Sequence, residues 1–370
     1  MYDRSYYLGD CGGHEQFAQF GGRKLEDPRL DAVYALAAAG PGTRVLDVGC
    51  GRGELCYALA ANGAQVTAID YSADAIAIAR RTAGDTPVRF VCGDATTFHD
   101  RGGYDIAIAS DVIEHLAPCE LDRLYANLAG MLRPGGAFVV HTWPNAWMHR
   151  HGYQHRRAHA AARGEVWPDD PRTPYEHAMH INEQRPNVLR RQLQAAFEHV
   201  VVWVGTNTDP AGSLARPFNV AGYRDAADVY AIASHRPIDR SQILARITSK
   251  PLAEENVVVS LHAPAVPARV QAGEPFVAEV TLRNDGAAAL ASFHPNPVRF
   301  AYIWSNGGGT IGADTGRSRI APRAEPGSGR RYGVGVVAPA QPGPYTLRIT
   351  LVQELVRWFD ANVELAVEVA

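Results

Sequence analysis

From about Leu30 to His235, short β-branched runs alternate with Ala-, Leu- and Arg-rich stretches. The apolar runs predict strands at Arg44–Val48, Gln65–Ile69, Val88–Cys92, Tyr104–Ser110, Gly136–Thr142, Val200–Gly205 and Asp228–Ser234. Helical spacing falls at Leu30–Ala39, Gly53–Ala61, Ser72–Arg81 and Pro118–Met131, with one more helix near Asn187–Phe197. Strands joined through helices imply right-handed crossovers and a parallel sheet covered on both faces. The last two strands have only an irregular segment between them, which predicts an antiparallel closing pair.

The pattern changes after His235. Residues 236–252 read as a linker with one short helix, and beyond it strict alternation takes over. Strands are expected at Asn256–Leu261, Phe276–Arg283, Val298–Trp304, Gly333–Val337, Tyr345–Gln353 and Val363–Val369. Turn signals such as Asn284-Asp285-Gly286 and Gln341-Pro342-Gly343-Pro344 separate them. The expected fold class is therefore α/β followed by an all-β sandwich. The boundaries run 1–29 for an N-terminal cap segment, 30–235 for the α/β domain with an insertion at about 143–185, 236–252 for the linker and 253–370 for the sandwich.

Composition alters this little. Apolar residues make up 46% of the 370 and charged residues 20%, as in ordinary folded domains. A formal net charge of −3 gives no electrostatic reason to expect a nucleic acid or an anionic membrane as partner. The five cysteines (Cys11, Cys50, Cys56, Cys92, Cys119) form no CxxC, so reduced thiols are expected rather than a disulfide framework or a zinc site. The first residues show no basic start leading into an apolar run, and no stretch nears the ~20 apolar residues of a spanning helix. A cytoplasmic protein without a membrane span is the expectation.

The sharpest chemical signal is Val45-Leu46-Asp47-Val48-Gly49-Cys50-Gly51-Arg52-Gly53, a strand entering a GxGxG turn and then a helix. Glycine lets such a turn approach a ligand where a Cβ would clash. A dinucleotide site would read GxGxxG with a pyrophosphate on the helix N-terminus, and Glu54 would repel it there. Asp70 ends the second strand, close to the ~20-residue distance at which nucleoside-binding folds place a carboxylate for the ribose hydroxyls. Gly93-Asp94-Ala95 closes the third strand. Ser110-Asp111 closes the fourth, followed by Val112-Ile113-Glu114-His115-Leu116, and Leu132-Arg133-Pro134-Gly135-Gly136 precedes the fifth.

This succession, over roughly residues 25–235, resembles the class I S-adenosylmethionine (SAM) dependent methyltransferases of the ubiquinone-biosynthesis-like type. The resemblance implies a Rossmann-like seven-stranded methyltransferase sheet, SAM as cofactor and S-adenosylhomocysteine (SAH) as product. It places Asp47 at the cationic amino-acid end of SAM, and the backbone of Gly49, Gly51 and Gly53 along its ribose and methionine portions. Asp94 falls near the adenine amino group, and Cys50, Asp70, Tyr71, Ala95 and Ser110 complete the cofactor-binding set.

Methyl transfer from a sulfonium is an in-line displacement, for which positioning alone supplies ~7–11 kcal/mol. A hydroxyl acceptor also loses a proton, and a positioned base adds roughly 10²–10⁴-fold. His115, just past the fourth strand, and His141, ending the fifth, are the catalytic candidates; each has a structural alternative, in shaping the cofactor site or in packing. The His- and aromatic-rich insertion would form the acceptor lid, with Trp143, Asn145 and His180 as substrate candidates. Its histidines could ligate a divalent metal, but their spacings fit no compact ligand set, so a solvated polar lid is the expectation and no metal. The aromatic, glycine-rich N-terminal segment adds Tyr7 and His14 as substrate candidates.

The stretch Val352-Gln353-Glu354-Leu355-Val356-Arg357-Trp358-Phe359 resembles a strand of immunoglobulin-like domains in bacterial surface-polysaccharide proteins. The resemblance implies a glycan role, for which Tyr302, Trp304, Trp358 and Phe359 would offer stacking faces, with Asn296, Arg299 and Asn306 nearby. Alternation equally places some of those aromatics in a core. The expected function is O-methylation of a sugar hydroxyl in a bacterial surface polysaccharide or its lipid-linked precursor. Two rivals stand beside it. One is a methyltransferase of a quinone, polyketide or other small molecule, with the sandwich making a homodimer. The other is a non-catalytic SAM-binding scaffold in polysaccharide assembly.

Overall fold

The structure, a computed structural model, describes residues 2–100, 102–311 and 316–370. The chain divides into two compact units. The first takes the residues up to His14 together with Asp27–Ile247, and the second takes Glu15–Glu26 with Thr248–Ala370.

Two short helices, α1 (Arg4–Gly9) and α2 (His14–Phe20), open the chain, where only a cap segment was expected. Asp3 starts α1 by accepting a hydrogen bond from the Tyr6 amide at 3.0 Å. Helix α3 runs over Pro28–Ala37, two residues earlier than its apolar spacing suggests. Its start is set by Asp27, which accepts from the Arg29 amide, with Pro28 at the first helical position. Its end is set by Ala38 in the left-handed region, at φ 47°.

Strands β1 (Arg44–Val48), β2 (Gln65–Asp70), β3 (Val88–Cys92), β4 (Tyr104–Ser110), β5 (Leu132–Thr142), β6 (His199–Gly205) and β7 (Asp228–Ser234) form one sheet of order 3-2-1-4-5-7-6. The first five pair in parallel; β7 is antiparallel to both β5 and β6. This is the Rossmann-like α/β sheet with the antiparallel closing pair that the sequence predicts. Helices α4 (Glu54–Ala61), α5 (Ala73–Ala83) and α6 (Pro118–Met131) make the crossovers. Val45, Leu46, Ile108 and Phe138, buried between the helical layers, anchor the sheet.

The insertion after β5 begins with a π-helical turn over Met148–Tyr153, continues as α7 (Gln154–Ala161) and α8 (Pro174–Met179), and leads to α9 (Pro186–Gln194). The short helix expected within 236–252 spans Arg240–Ile247, and it clusters with the first unit.

The second unit is strand-rich, as alternation predicts. Strands β8 (Val259–Ala265), β9 (Arg269–Val270), β10 (Pro275–Asn284), β11 (Val298–Asn306), β12 (Gly309–Ile311), β13 (Arg317–Arg319), β14 (Ser328–Val337), β15 (Gly343–Gln353) and β16 (Arg357–Val369) form two sheets. One has order 14-10-8; the other has order 12-11-15-16-9, with β13 on β11. Val280, Leu282 and Val334 of the first share a single core with Phe300, Leu347 and Ile349 of the second. Tyr302, Trp304 and Phe359 are buried in that core, so three of the four aromatics proposed for sugar stacking pack inside; Trp358 remains exposed. The shortest strands, β9, β12 and β13, are too brief to show alternation in the sequence.

Gln353 is fully buried at the end of β15. Its Nε2 donates to the Lys250 and Asn296 carbonyls, and its Oε1 accepts from the Leu252 amide. Gln353→Leu keeps the volume but strands these backbone groups, each costing about 1–3 kcal/mol when buried without a partner. The expected result is a clear drop in the urea midpoint of the transition that reports the second unit, read by circular dichroism.

Candidate active site

The glycine loop leaves β1 and is tied to the end of β2. The Gly49 and Cys50 amides donate to the Ile69 carbonyl, and the Gly51 amide donates to Asp70 Oδ2 at 3.0 Å. Gly53 sits at φ 80°, and a Cβ there would lie 2.9 Å from the backbone of Ala79, so the loop packs directly on α5. Asp70 Oδ1 accepts from the Ser72 amide at 2.9 Å. Asp47 is buried with only the Cys56 thiol donating to it, and burial pushes its carboxyl up to about 7. Cys50 lies beside this pair, its thiol also raised.

The N-terminal segment lies against this loop. Arg52, held by Glu54 at 3.1 Å, donates to the carbonyls of Tyr7 and Gly12. Ser72 Oγ donates to the Tyr2 carbonyl, and the Tyr7 ring lies beside Gly51. Glu54, which the sequence sets against a pyrophosphate, is thus the buried partner of Arg52. Tyr71 is exposed and meets the Tyr2 ring edge-on. His14 is the first residue of α2, where the chain leaves the first unit.

Asp94 caps its own turn, accepting from the Thr96 amide at 2.8 Å and hydroxyl at 2.9 Å, and each oxygen retains a lone pair for a ligand. Ala95 is half-buried against the main core. Ser110 Oγ lies 3.5 Å from Asp111 Oδ2.

His141 is not an accessible base. Its side chain is fully buried, with Nε2 bonded to Asp228 Oδ1 at 3.0 Å and Nδ1 in an ion pair with Asp111 Oδ1, also at 3.0 Å. The Asp111 contact is charge-to-charge without an aligned hydrogen bond. Burial works against a charged ring, but the two carboxylates outweigh it and push His141 up to about 10. A buried imidazole whose two nitrogens both face carboxylates is poorly placed to accept a proton from a substrate. Asp111 itself sits in the left-handed region at φ 55° and is also held by Arg29 at 3.0 Å. Burial raises it, but His141 and Arg29 hold it far below the usual carboxylate range.

Next to this cluster, Glu114 is buried and accepts from Thr142 Oγ1 at 2.8 Å. Burial and the Asp111 charge push it up to about 8. His115 is partly open, its Nδ1 3.1 Å from the Met179 carbonyl, and burial holds it down to about 4. The His115 and His180 rings are 5.0 Å apart, and Trp143 packs edge-on against His180. The fold therefore brings His115, Trp143 and His180 together. Asn145 is fully buried, and its side chain is engaged by the Ala226 carbonyl and the Trp147 amide, which removes it from the substrate set. A cleft of about 660 Å³ opens in the insertion beside Asn182 and Glu183; its lining does not include the glycine loop.

Sequence reasoning missed Asp111, Glu114, Arg29 and Asp228. Glu114 and Asp111 stood in the quoted stretch before His115. Arg29 and Asp228 carry no local signal, because Asp228 meets His141 across 87 positions.

Residues 45–136 match a family described as a methyltransferase domain. The chain is 36% identical over 108 residues to a ubiquinone biosynthesis O-methyltransferase of Bradyrhizobium sp. (strain ORS 278), covering 29% of this chain and 42% of that one. It is 37% identical over 123 residues to one from Xanthomonas campestris pv. campestris (strain B100), covering 32% and 50%. The chain thus spans half or less of the length of these curated relatives. The putative methyltransferase complexed with the Trm112 activator of Haloferax volcanii superposes with a TM-score of 0.44 at 18% identity, over 63% of this chain and 96% of that one.

The sign of the His141 linkage gives a test. Its folded value lies above the ordinary 6.5, so its contribution is complete below about pH 6.5 and is lost as pH rises through about 10. Melting temperature should fall across that window. His141→Ala leaves buried Asp228 without the cation it bonds and leaves Asp111 with Arg29 alone, at a cost of about 3–5 kcal/mol. Thermal melts from pH 6 to 10 should show the variant less stable, with a flatter pH dependence.

Proposed function

We propose that this chain is a SAM-dependent O-methyltransferase whose acceptor is a hydroxyl-rich saccharide. Bound SAM supplies an electrophilic methyl on a sulfonium. The residues present suit that cofactor. Asp47 is a buried carboxylate that faces no cation among the described residues, and the ammonium of an amino-acid end would match it. Gly51 offers open backbone, where an added Cβ would meet nothing nearer than Tyr7 at 3.8 Å. Asp70 and Asp94 each keep lone pairs for ribose and adenine donors.

The acceptor reading is carried by the lining of the insertion cleft. Arg150, Asp170, Arg172, Asn182, Glu183 and Arg185 give it a strongly polar wall, suited to many hydroxyls and poorly suited to a flat apolar quinone. The family match ends at residue 136, before the insertion begins, so it speaks to the cofactor half and not to the acceptor. The strand-rich second unit, which we read as immunoglobulin-like, would recruit a glycan or lipid-linked saccharide, with exposed Trp358 as its remaining aromatic face. The hydroxyl proton leaves toward the corner formed by Glu114, His115 and His180, while His141 holds that corner in place.

Two measurements test this. Asp47→Asn should weaken SAM binding roughly 10–150-fold by calorimetry, the equivalent of one charged hydrogen bond, with unchanged circular dichroism. With methyl-labelled SAM, surface polysaccharide or its lipid-linked precursors should take up label, while simple phenols and quinols should not. Label on the phenols alone would replace the saccharide by a small-molecule acceptor.

A further inference from the structure

The insertion cleft is lined by the carboxylates of Asp169, Asp170 and Glu183 and the guanidinium groups of Arg150, Arg172 and Arg185, and these charges are unequally paired. Arg172 takes two of the acids by itself. Its Nε and Nη2 donate to the two Glu183 oxygens at 2.8 and 2.7 Å, and its Nη1 donates to Asp170 Oδ2 at 2.8 Å. His149 Nδ1 lies 3.3 Å from Glu183 Oε1 as well. Burial works against the Glu183 charge, but Arg172 and His149 hold its carboxyl down to about 2. Asp169 is paired with Arg157 of α7, which stands outside the cleft lining. Each acid therefore has a cation of its own. Arg150 and Arg185 are left over: both are exposed, and among the described residues neither side chain makes an ion pair or a hydrogen bond.

The backbone under these two arginines is fixed. Arg150 lies in the π-helical turn Met148–Tyr153, one residue past buried His149. Gly152 packs that turn so closely that a Cβ would lie 2.1 Å from the Arg224 carbonyl oxygen. Arg185 follows fully buried Gln184, whose Nε2 donates to the Asn182 carbonyl at 2.8 Å and whose own carbonyl accepts from the Ala146 amide at 3.0 Å. Asn182 ties the same wall to the corner past β4: its amide donates to the Glu114 carbonyl and its Nδ2 to the Leu116 carbonyl, both at 2.9 Å.

We propose that Arg150 and Arg185 bind the negatively charged group of an acidic saccharide, a carboxylate or a phosphate carried by the methylated sugar or by its neighbour. This choice of substrate rests on the saccharide reading of the cleft. A guanidinium fork matches the paired oxygens of either anion, and such charge-assisted bonds are about twice as strong as those to a neutral hydroxyl. The three acids do not compete for the ligand's place, because their own cations already hold them. A cation as ligand is disfavoured for the same reason. With the anion held on a wall that is bonded to Glu114 and Leu116, a hydroxyl of the same saccharide is directed toward that corner.

Calorimetry on the full chain with SAH present tests the site with three probes: a glucuronate-containing disaccharide, glucose 1-phosphate, and a neutral disaccharide. At least one anionic probe should bind about 10-fold tighter than the neutral one, and the preference should shrink as salt rises. Preference for the uronate assigns a carboxylate; preference for the sugar phosphate assigns a phosphate. Arg150→Gln and Arg185→Gln should each weaken the preferred anion about 10-fold, the equivalent of one exposed charged hydrogen bond, and leave the neutral disaccharide unchanged. Wild-type circular dichroism and SAH affinity would show both variants folded. The proposal is overturned if neither anion binds more tightly than the neutral probe, or if Arg150→Gln/Arg185→Gln together keep the preference. An acidic saccharide that binds as described but takes no methyl from labelled SAM rejects the saccharide-methylation reading and leaves the anion site standing. Acidic and neutral saccharides bound alike and labelled alike keep that reading and remove the anion site.

Discussion

The interaction on which the first unit depends is the buried His141 imidazolium between Asp111 and Asp228. It joins the residue after β4, the end of β5 and the start of β7, three neighbouring strands of one sheet. Asp228 is buried and Asp111 partly so, and the positive ring between them offsets their repulsion, with Arg29 neutralising Asp111 from the other side. Asp111, held from the other side by Arg29, keeps its left-handed backbone, and that turn determines how Glu114 and His115 leave the strand. The corner of Glu114 and His115 is therefore positioned by this charge cluster.

A second constraint acts at the glycine loop. The loop is held from below by Asp70 and the Ile69 carbonyl, and the N-terminal segment lies on it through Arg52. Gly53 must pack on Ala79, which places the start of α4 against α5 and keeps the loop close to the strand ends. Asp47 lies beneath the loop, where burial makes its charge costly. A buried carboxylate with only a thiol for a partner is a poor stabilising device and a good receptor for a cation. This difference makes the loop readable as a binding site.

The second unit is built on other terms. Its two sheets share an apolar core, and the aromatics proposed for ligand stacking largely fill it. Alternation decides this: Phe300, Tyr302 and Trp304 sit two apart on β11, so all three face the same side. Trp358, one residue out of phase with buried Phe359, points to solvent. It stays open to solvent together with Leu355 and Val356.

Legible along the chain were the seven strands of the first sheet, the switch to alternation after His235, and the glycine loop with Asp47, Asp70 and Asp94. These follow from periodicity and from backbone conformations that only certain residues adopt, both of which are local. Helix ends were legible only to within a turn, because caps such as Asp27 and Ser72 act through single hydrogen bonds. What the tertiary structure alone decided is which polar residues meet. His141 looked like a base until Asp228, 87 positions away, took its second nitrogen. Asn145 was a substrate candidate until Ala226, 81 positions away, took its side-chain amide, and His180 meets His115 only because the insertion folds back on the sheet. A side chain's charge and availability depend on burial and on partners brought in by other strands, and neither is written in its neighbours along the chain.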